Sequence, residues 1–263
     1  MATNPALLLL ADSRLPAGGH AHSGGAEQAV TSGAVHDVPS LARFLRGRLH
    51  TAGTVAAALT AAACTQAAMS PRPSGGRSTV AAESATGTTP LEAEGGGVPA
   101  ESPWVLLDAE VDARTAAPAQ RDASRTQGRL LLRVARRVWP SPVLDELARD
   151  VPSPHHPIAL GVTAHAAGAT PEEAAMAAAY HAISGPATAA VRLLGLDPVA
   201  VHGLLADLTP DLTAVAAEAH ATTSNAHPHS AGSPWESLPA YSSPALDLLA
   251  EQHARAEVRL FVS

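Results

Sequence analysis

Apolar positions along this chain recur every three or four residues, the spacing that lines one face of an α-helix. Leu41, Phe44, Leu45 and Leu49 share such a face in an early segment, and Leu130, Leu131, Val134 and Val138 in a central one. Near the end, Leu212, Val215, Ala216 and Ala219 repeat the pattern, followed by Leu246, Leu249, Ala250 and His253. Helix starts are marked by a capping residue before proline: Ser102-Pro103, Ser141-Pro142, Thr170-Pro171, Asp197-Pro198, Thr209-Pro210 and Ser243-Pro244. The capping oxygen satisfies a free amide, and proline at the first helical position loses no hydrogen bond. Thr170 followed by Glu173 completes a capping box. Val105 to Val111 alternates with the period of a strand and is nevertheless assigned to a helix.

Two stretches break the pattern. Residues 70–101 are rich in Pro, Gly, Ser and Thr and poor in large apolar side chains. They cannot bury enough surface to offset roughly 1–2 kcal/mol of backbone entropy per residue. Residues 222–242, with His227-Pro228-His229, read as a second long loop. The expected fold is all-α: a single-domain bundle over residues 1–263, of about eight to ten helices, with a disordered insertion at 70–101 and a loop at 222–242.

Composition sharpens this picture. Hydrophobic residues make up 46% of the chain but aromatics only 3%, with alanine supplying much of the difference. Alanine is the best helix former and buries little area, so its cores suit closely approaching helices better than sheets. The net charge of -7 lacks the basic footprint of a duplex-binding protein, so no nucleic-acid partner is expected. Cys64 is the single cysteine, which excludes an intramolecular disulfide and a cysteine metal cluster. The apolar run before Leu10 has no basic flank, and Ala52–Cys64 is too short and too weakly apolar to cross a bilayer. A cytoplasmic protein without a membrane partner is therefore expected.

Four segments are candidates for chemistry. In Leu15 to Glu27, Gly18, Gly19, Gly24 and Gly25 imply a tight backbone path feeding a helix that contains Glu27. Ser23 sits in Ala-x-Ser-x-Gly, not in the Gly-x-Ser-x-Gly of a nucleophile elbow, and no phosphate-binding fingerprint is present. Histidines pair up at His20 with His22, His155 with His156 and His227 with His229. Imidazole suits nickel or zinc, but no His-Glu-x-x-His element occurs, so His20 and His22 are only candidate ligands and no metal or cofactor is assigned. Arg125, Arg129, Arg133, Arg136 and Arg137 are spaced to line one side of a helix, as a solvated face or as a dock for an acidic partner. Finally, the chain closes with Arg255, Arg259, Leu260, Phe261, Val262 and Ser263. Phe261 there either folds back onto the helices or inserts into another protein, since burial stabilises it by about 2 kcal/mol or more.

Taken in order, these segments resemble the urease accessory protein UreF family. The resemblance rests on the short Leu-rich helix Leu7–Leu10, the Leu15–Glu27 turn, and Arg121, Ser124, Gly128, Leu130 and Leu131. It continues through His155–Gly161, the Ala-rich segment Thr170–Leu193, and Arg259–Ser263. This chain has His20 and His22 where the family commonly carries aromatics, and Leu194-Gly195-Leu196-Asp197 follows Arg192-Leu193 in place of Pro-Leu-Gly-Gln. Residues 70–101 match nothing in the family.

The resemblance implies an all-helical, dimerising protein with no reaction of its own. It would bind UreH (UreD), recruit the GTPase UreG, and couple GTP hydrolysis to nickel insertion into the urease apoprotein. Partner-binding candidates are Gly18, Gly19, His20, Ser23 and Glu27, then Arg121, Ser124 and Gly128, then Arg192 at a dimer contact. Arg259, Leu260 and Phe261 would anchor UreH, with Arg255 and Ser263 as further partner-binding candidates in the tail. The rival readings are a nickel metallochaperone using the histidine pairs, and a hydrolase acting through Ser23 with His20 or His22.

Overall fold

A computed structural model describes residues 4–12, 15, 19–70, 101–224 and 235–263. Among them there is no strand. The helices are α1 (Ala6–Ala11), α2 (Ala26–Thr31), α3 (Val38–Arg48), α4 (Thr54–Met69), α5 (Pro103–Arg114) and α6 (Pro118–Val138). After them come α7 (Pro142–Asp150), α8 (His156–Ala166), α9 (Pro171–Leu194), α10 (Pro198–Asp207), α11 (Thr209–Ser224) and α12 (Pro244–Arg255). A 3-10 turn at Gly19–Ala21 precedes α2, and a π-turn at Leu49–Gly53 joins α3 to α4 without a break. Of the 70–101 and 222–242 stretches, residues 71–100 and 225–234 lie outside the described residues, and the second begins in a helix, because α11 runs through Ser224.

The capping signals place the helices well. Ser102 accepts from the Trp104 amide, Asp197 accepts from the Val199 amide, and Thr170 exchanges hydrogen bonds with Glu173 in a capping box. The alternating segment Val105–Val111 lies wholly inside α5, because the Ser102-Pro103 start sets its conformation.

One apolar core runs through the molecule, with α4 at its centre. Ala57, Ala58, Ala61, Ala63 and Cys64 are buried on several sides of α4, which packs against α8, α9 and α11. Short side chains on α4, α8 and α9 let the helix axes approach closely, which compensates for the small area each alanine buries. The continuous rod Val38–Met69 is long and apolar enough to cross a membrane, but 67% of its most apolar window is buried inside the fold. It reads as the core helix. Burial also pushes the Cys64 thiol up to about 12, which keeps it protonated. Trp104 is fully buried and satisfies its indole N–H on Glu146 Oε1 at 3.0 Å.

The buried side of α6 is Gly128, Leu131, Leu132 and Ala135, while Leu130 is half-buried and Val138 is 51% exposed. The sequence face of Leu130, Leu131, Val134 and Val138 is thus rotated, because α6 fits against α8 along its smallest residues.

Within α9, Pro186 has no N–H to give to the carbonyl of Ala182 one turn earlier. Arg48, the last residue of α3, supplies the missing donor: its Nε–H reaches Ala182 O at 2.8 Å. The helix therefore continues through its proline with that carbonyl satisfied from outside.

Candidate partner-binding site

Glu27 in α2 is 8% exposed and organises the carboxyl-terminal tail. Its Oε1 accepts the Leu260 N–H at 2.7 Å, and its Oε2 accepts the Phe261 N–H at 3.1 Å. His253 of α12 is buried between the two segments, with Nδ1 3.7 Å from Glu27 Oε2 and Nε2 3.3 Å from Phe261 O. Beyond Phe261 the tail pairs its backbone with the turn before α2. Val262 N–H donates to Ala21 O at 2.7 Å, and Ser23 N–H donates to Ser263 O at 2.5 Å. His22 places Nδ1 2.5 Å from Ser263 Oγ.

The tail bends at Leu260 and Phe261, and among residues 258–262 Phe261 alone is buried. Phe261 points inward, 6% exposed, against Ala26, Ala189, Phe44 and Leu193. The Arg192 guanidinium lies 5.0 Å from the centre of its ring. Val258, Leu260 and Val262 are 87%, 73% and 59% exposed, an unusual concentration of apolar side chains on one strip of surface. The tail folds back onto its own helices while offering this strip outward. Arg255 and Arg259 flank it in solvent.

The turn carrying Ser23 works because Gly24 and Gly25 adopt φ of 58° and 88°. A Cβ on Gly24 would also lie 3.0 Å from Pro186 Cγ and 3.2 Å from Arg48 Nη2. Ser23 is completely buried, and among the described residues its hydroxyl has no hydrogen-bond partner, so it forms no pair with His22. Gly19 is exposed; Gly18 and the side chain of His20 lie outside the described residues.

Arg121, Ser124 and Gly128 meet a different neighbour. Ser124 Oγ accepts the His156 N–H at 3.1 Å, and Arg121 donates to Thr115 O at 2.9 Å. At Gly128 a Cβ would lie 2.8 Å from the backbone carbon of His155 and 2.9 Å from the His156 nitrogen. This motif therefore seats α6 on the start of α8. A groove of about 570 Å³ separates the two sets of candidates, with Gly24, Val262 and Ser263 on one wall and Ser124 and His156 on the other.

The arginine stripe divides. Arg125 turns inward, donating to Asp108 Oδ2 at 2.9 Å and Asp112 Oδ2 at 2.6 Å in α5, and to Ser153 O at 3.0 Å. Arg136 pairs with Asp145 at 2.7 Å, while Arg129, Arg133 and Arg137 stay exposed beside it. Asp108 and Asp112, one helical turn apart, also hold fully buried His155, through its N–H at 2.7 Å and its Nε2 at 2.9 Å. Ligand-type atoms of Asp108, Asp112 and His155 come within 4.8 Å of one another. Both carboxylates are already paired with Arg125, so the cluster is an internal clamp between α5, α6 and the approach to α8. Sequence reading missed it, and the signal was the carboxylate pair one turn apart in α5. Burial pulls the His155 pKa down despite both aspartates, and pulls His156 down to about 3 with help from His181 and His22. His181 is lowered by burial as well. These imidazoles are neutral at physiological pH.

The UreF family profile matches residues 35–209. A urease accessory protein UreF of Mycobacterium sp. (strain JLS) is 41% identical, with 100% of each chain covered. The protein of that name from Mycolicibacterium vanbaalenii is 39% identical, again over 100% of both chains. That from Mycobacterium tuberculosis (strain ATCC 25618 / H37Rv) is 37% identical over 98% of this chain and 97% of its own.

Proposed function

Because this chain belongs to the UreF family of urease accessory proteins, we propose that it is a cytoplasmic, non-catalytic scaffold whose tail region docks UreH (UreD) during nickel insertion into urease. The observation that carries this reading is the outward strip of Val258, Leu260 and Val262, held in place by the inward anchor Phe261. An apolar strip kept in water is costly unless a partner covers it. The anchoring contacts fix its geometry before the partner arrives, which lowers the ordering cost of association. In the same reading the docked complex forms a homodimer, recruits UreG, and couples GTP hydrolysis to metal transfer by binding one state of the assembly better than another. Exposed Arg192 can then serve the tail and a dimer contact together.

The test uses the full chain co-expressed with UreH. Val258→Asp, Leu260→Asp and Val262→Asp change only outward side chains, so the combined variant keeps its helical circular-dichroism signal and loses co-purification. Deleting residues 259–263 gives the same loss. Normal co-purification of a folded triple variant removes the tail from the interface.

A further inference from the structure

The groove between the tail and α6 contains a cation that no described carboxylate neutralises. Arg48 stands where α3 passes into the π-turn, an interruption of the helical ladder frequent at functional sites. Its Nε–H is committed to the carbonyl orphaned by Pro186, which fixes the plane of the guanidinium. Among the described residues no carboxylate lies within ion-pairing distance, and the Nη groups, which abut Gly24, have no hydrogen-bond partner. His156 on the facing wall is neutral and adds Arg48 no counter-charge. Burial lowers the Arg48 pKa to about 10, so it remains charged at neutral pH. An arginine needed only to cap Ala182 O would gain nothing from opening its charged fork into a groove of about 570 Å³.

We propose that this groove is an oxyanion-binding site in which Arg48 grips a carboxylate or phosphate group through its Nη donors. A guanidinium fork matches either group in bidentate fashion. A Cβ added at Gly25 would meet nothing nearer than 3.9 Å, so ligand oxygens can approach the backbone there. Arg259 adds a second positive charge to the lining, which also holds Asp122 and Asp247. This site does not depend on which protein reads the tail.

The experiment measures thermal unfolding of the full-length protein in sodium phosphate and in sodium acetate, each against sodium chloride at equal ionic strength. The midpoint of the native protein rises by about 3–5 °C once the anion exceeds its dissociation constant roughly tenfold. Arg48→Gln shows no such rise. A response to phosphate alone assigns the site to a phosphate-bearing ligand, and a response to acetate as well assigns it to an acidic side chain. Should Arg48→Gln not fold, it is repeated with Pro186→Ala, which returns a helical N–H to Ala182 O. A readout needing no variant is the pair of Gly24 and Gly25 amide resonances, which shift saturably on phosphate titration. No anion-specific rise, an equal rise in Arg48→Gln, or silent Gly24 and Gly25 resonances overturns the proposal.

Discussion

Replacing Phe261 by alanine isolates what holds the tail to the helices. The side chain is 6% exposed, and removing it forfeits most of the roughly 1.5–3 kcal/mol that burying a phenylalanine contributes. The contact with Arg192, 5.0 Å from the ring centre, adds about 0.5–1 kcal/mol at an exposed site. A loss of about 2–2.8 kcal/mol lowers the docking equilibrium constant by roughly 30- to 100-fold. The seat is peripheral: Phe261 belongs with Ala26 and Ala189 in a small cluster separate from the main core. The lost energy is therefore felt as local release of the tail. Amide hydrogen exchange reads this directly, because the Leu260 and Phe261 amides donate to Glu27 and the Ser23 amide donates to Ser263. Their protection falls by the same roughly 30- to 100-fold, while amides of α4 and α8 keep theirs. Unchanged protection at Leu260 and Phe261 refutes the anchoring role; a parallel loss in α4 refutes the separation of this seat from the core.

Three further perturbations test the rest of the framework. Gly128→Ala places a methyl group within 3 Å of the His155 and His156 backbone, which cannot retreat as a side-chain tip can, and should destabilise the protein by about 1–3 kcal/mol or more in urea titrations; a stability equal to the parent contradicts the close α6–α8 approach. Acidification should weaken the fold: His155, His156 and His181 have folded pKa values below their usual 6.5, so the unfolded chain takes up protons first and stability drops as pH falls below about 6.5, by up to about 1.4 kcal/mol per histidine per pH unit. For His156 the decline continues to about pH 3, and Asp112, held low by His155 and Arg125 against its burial, adds a further loss only below the ordinary carboxylate range of 3.8; equal urea midpoints at pH 7.5 and 5.5 exclude the assignment. Arg125→Gln leaves buried Asp108 without its cation, and with the arginine side chain 34% exposed the expected cost is about 1–3 kcal/mol by thermal unfolding; a neutral result shows that the clamp contributes nothing.

What the sequence by itself determined is local. Proline at the first turn and three-to-four spacing placed α5, α7, α9, α10, α11 and α12, because these signals act within one helical turn. A capping oxygen bonds a free amide at α5, α9 and α10 but not at Ser141 or Ser243. The buried faces of α11 and α12 followed for the same reason, with Leu212, Val215, Ala216 and Ala219 buried as spaced. The order of short motifs gave the family as well. Only the tertiary structure decided which partner each special residue meets. Glu27 finds amides more than two hundred positions away, and Arg48 finds the carbonyl that Pro186 cannot serve. Val138 is exposed although it is spaced for the core, because α6 turns its smallest residues to α8. Arg125 parts from the other arginines of its stripe for a similar reason, since two carboxylates on α5 draw it inward. Periodicity states which residues share a side of a helix, but what that side faces depends on how separate helices close upon one another, and that is settled by long-range packing.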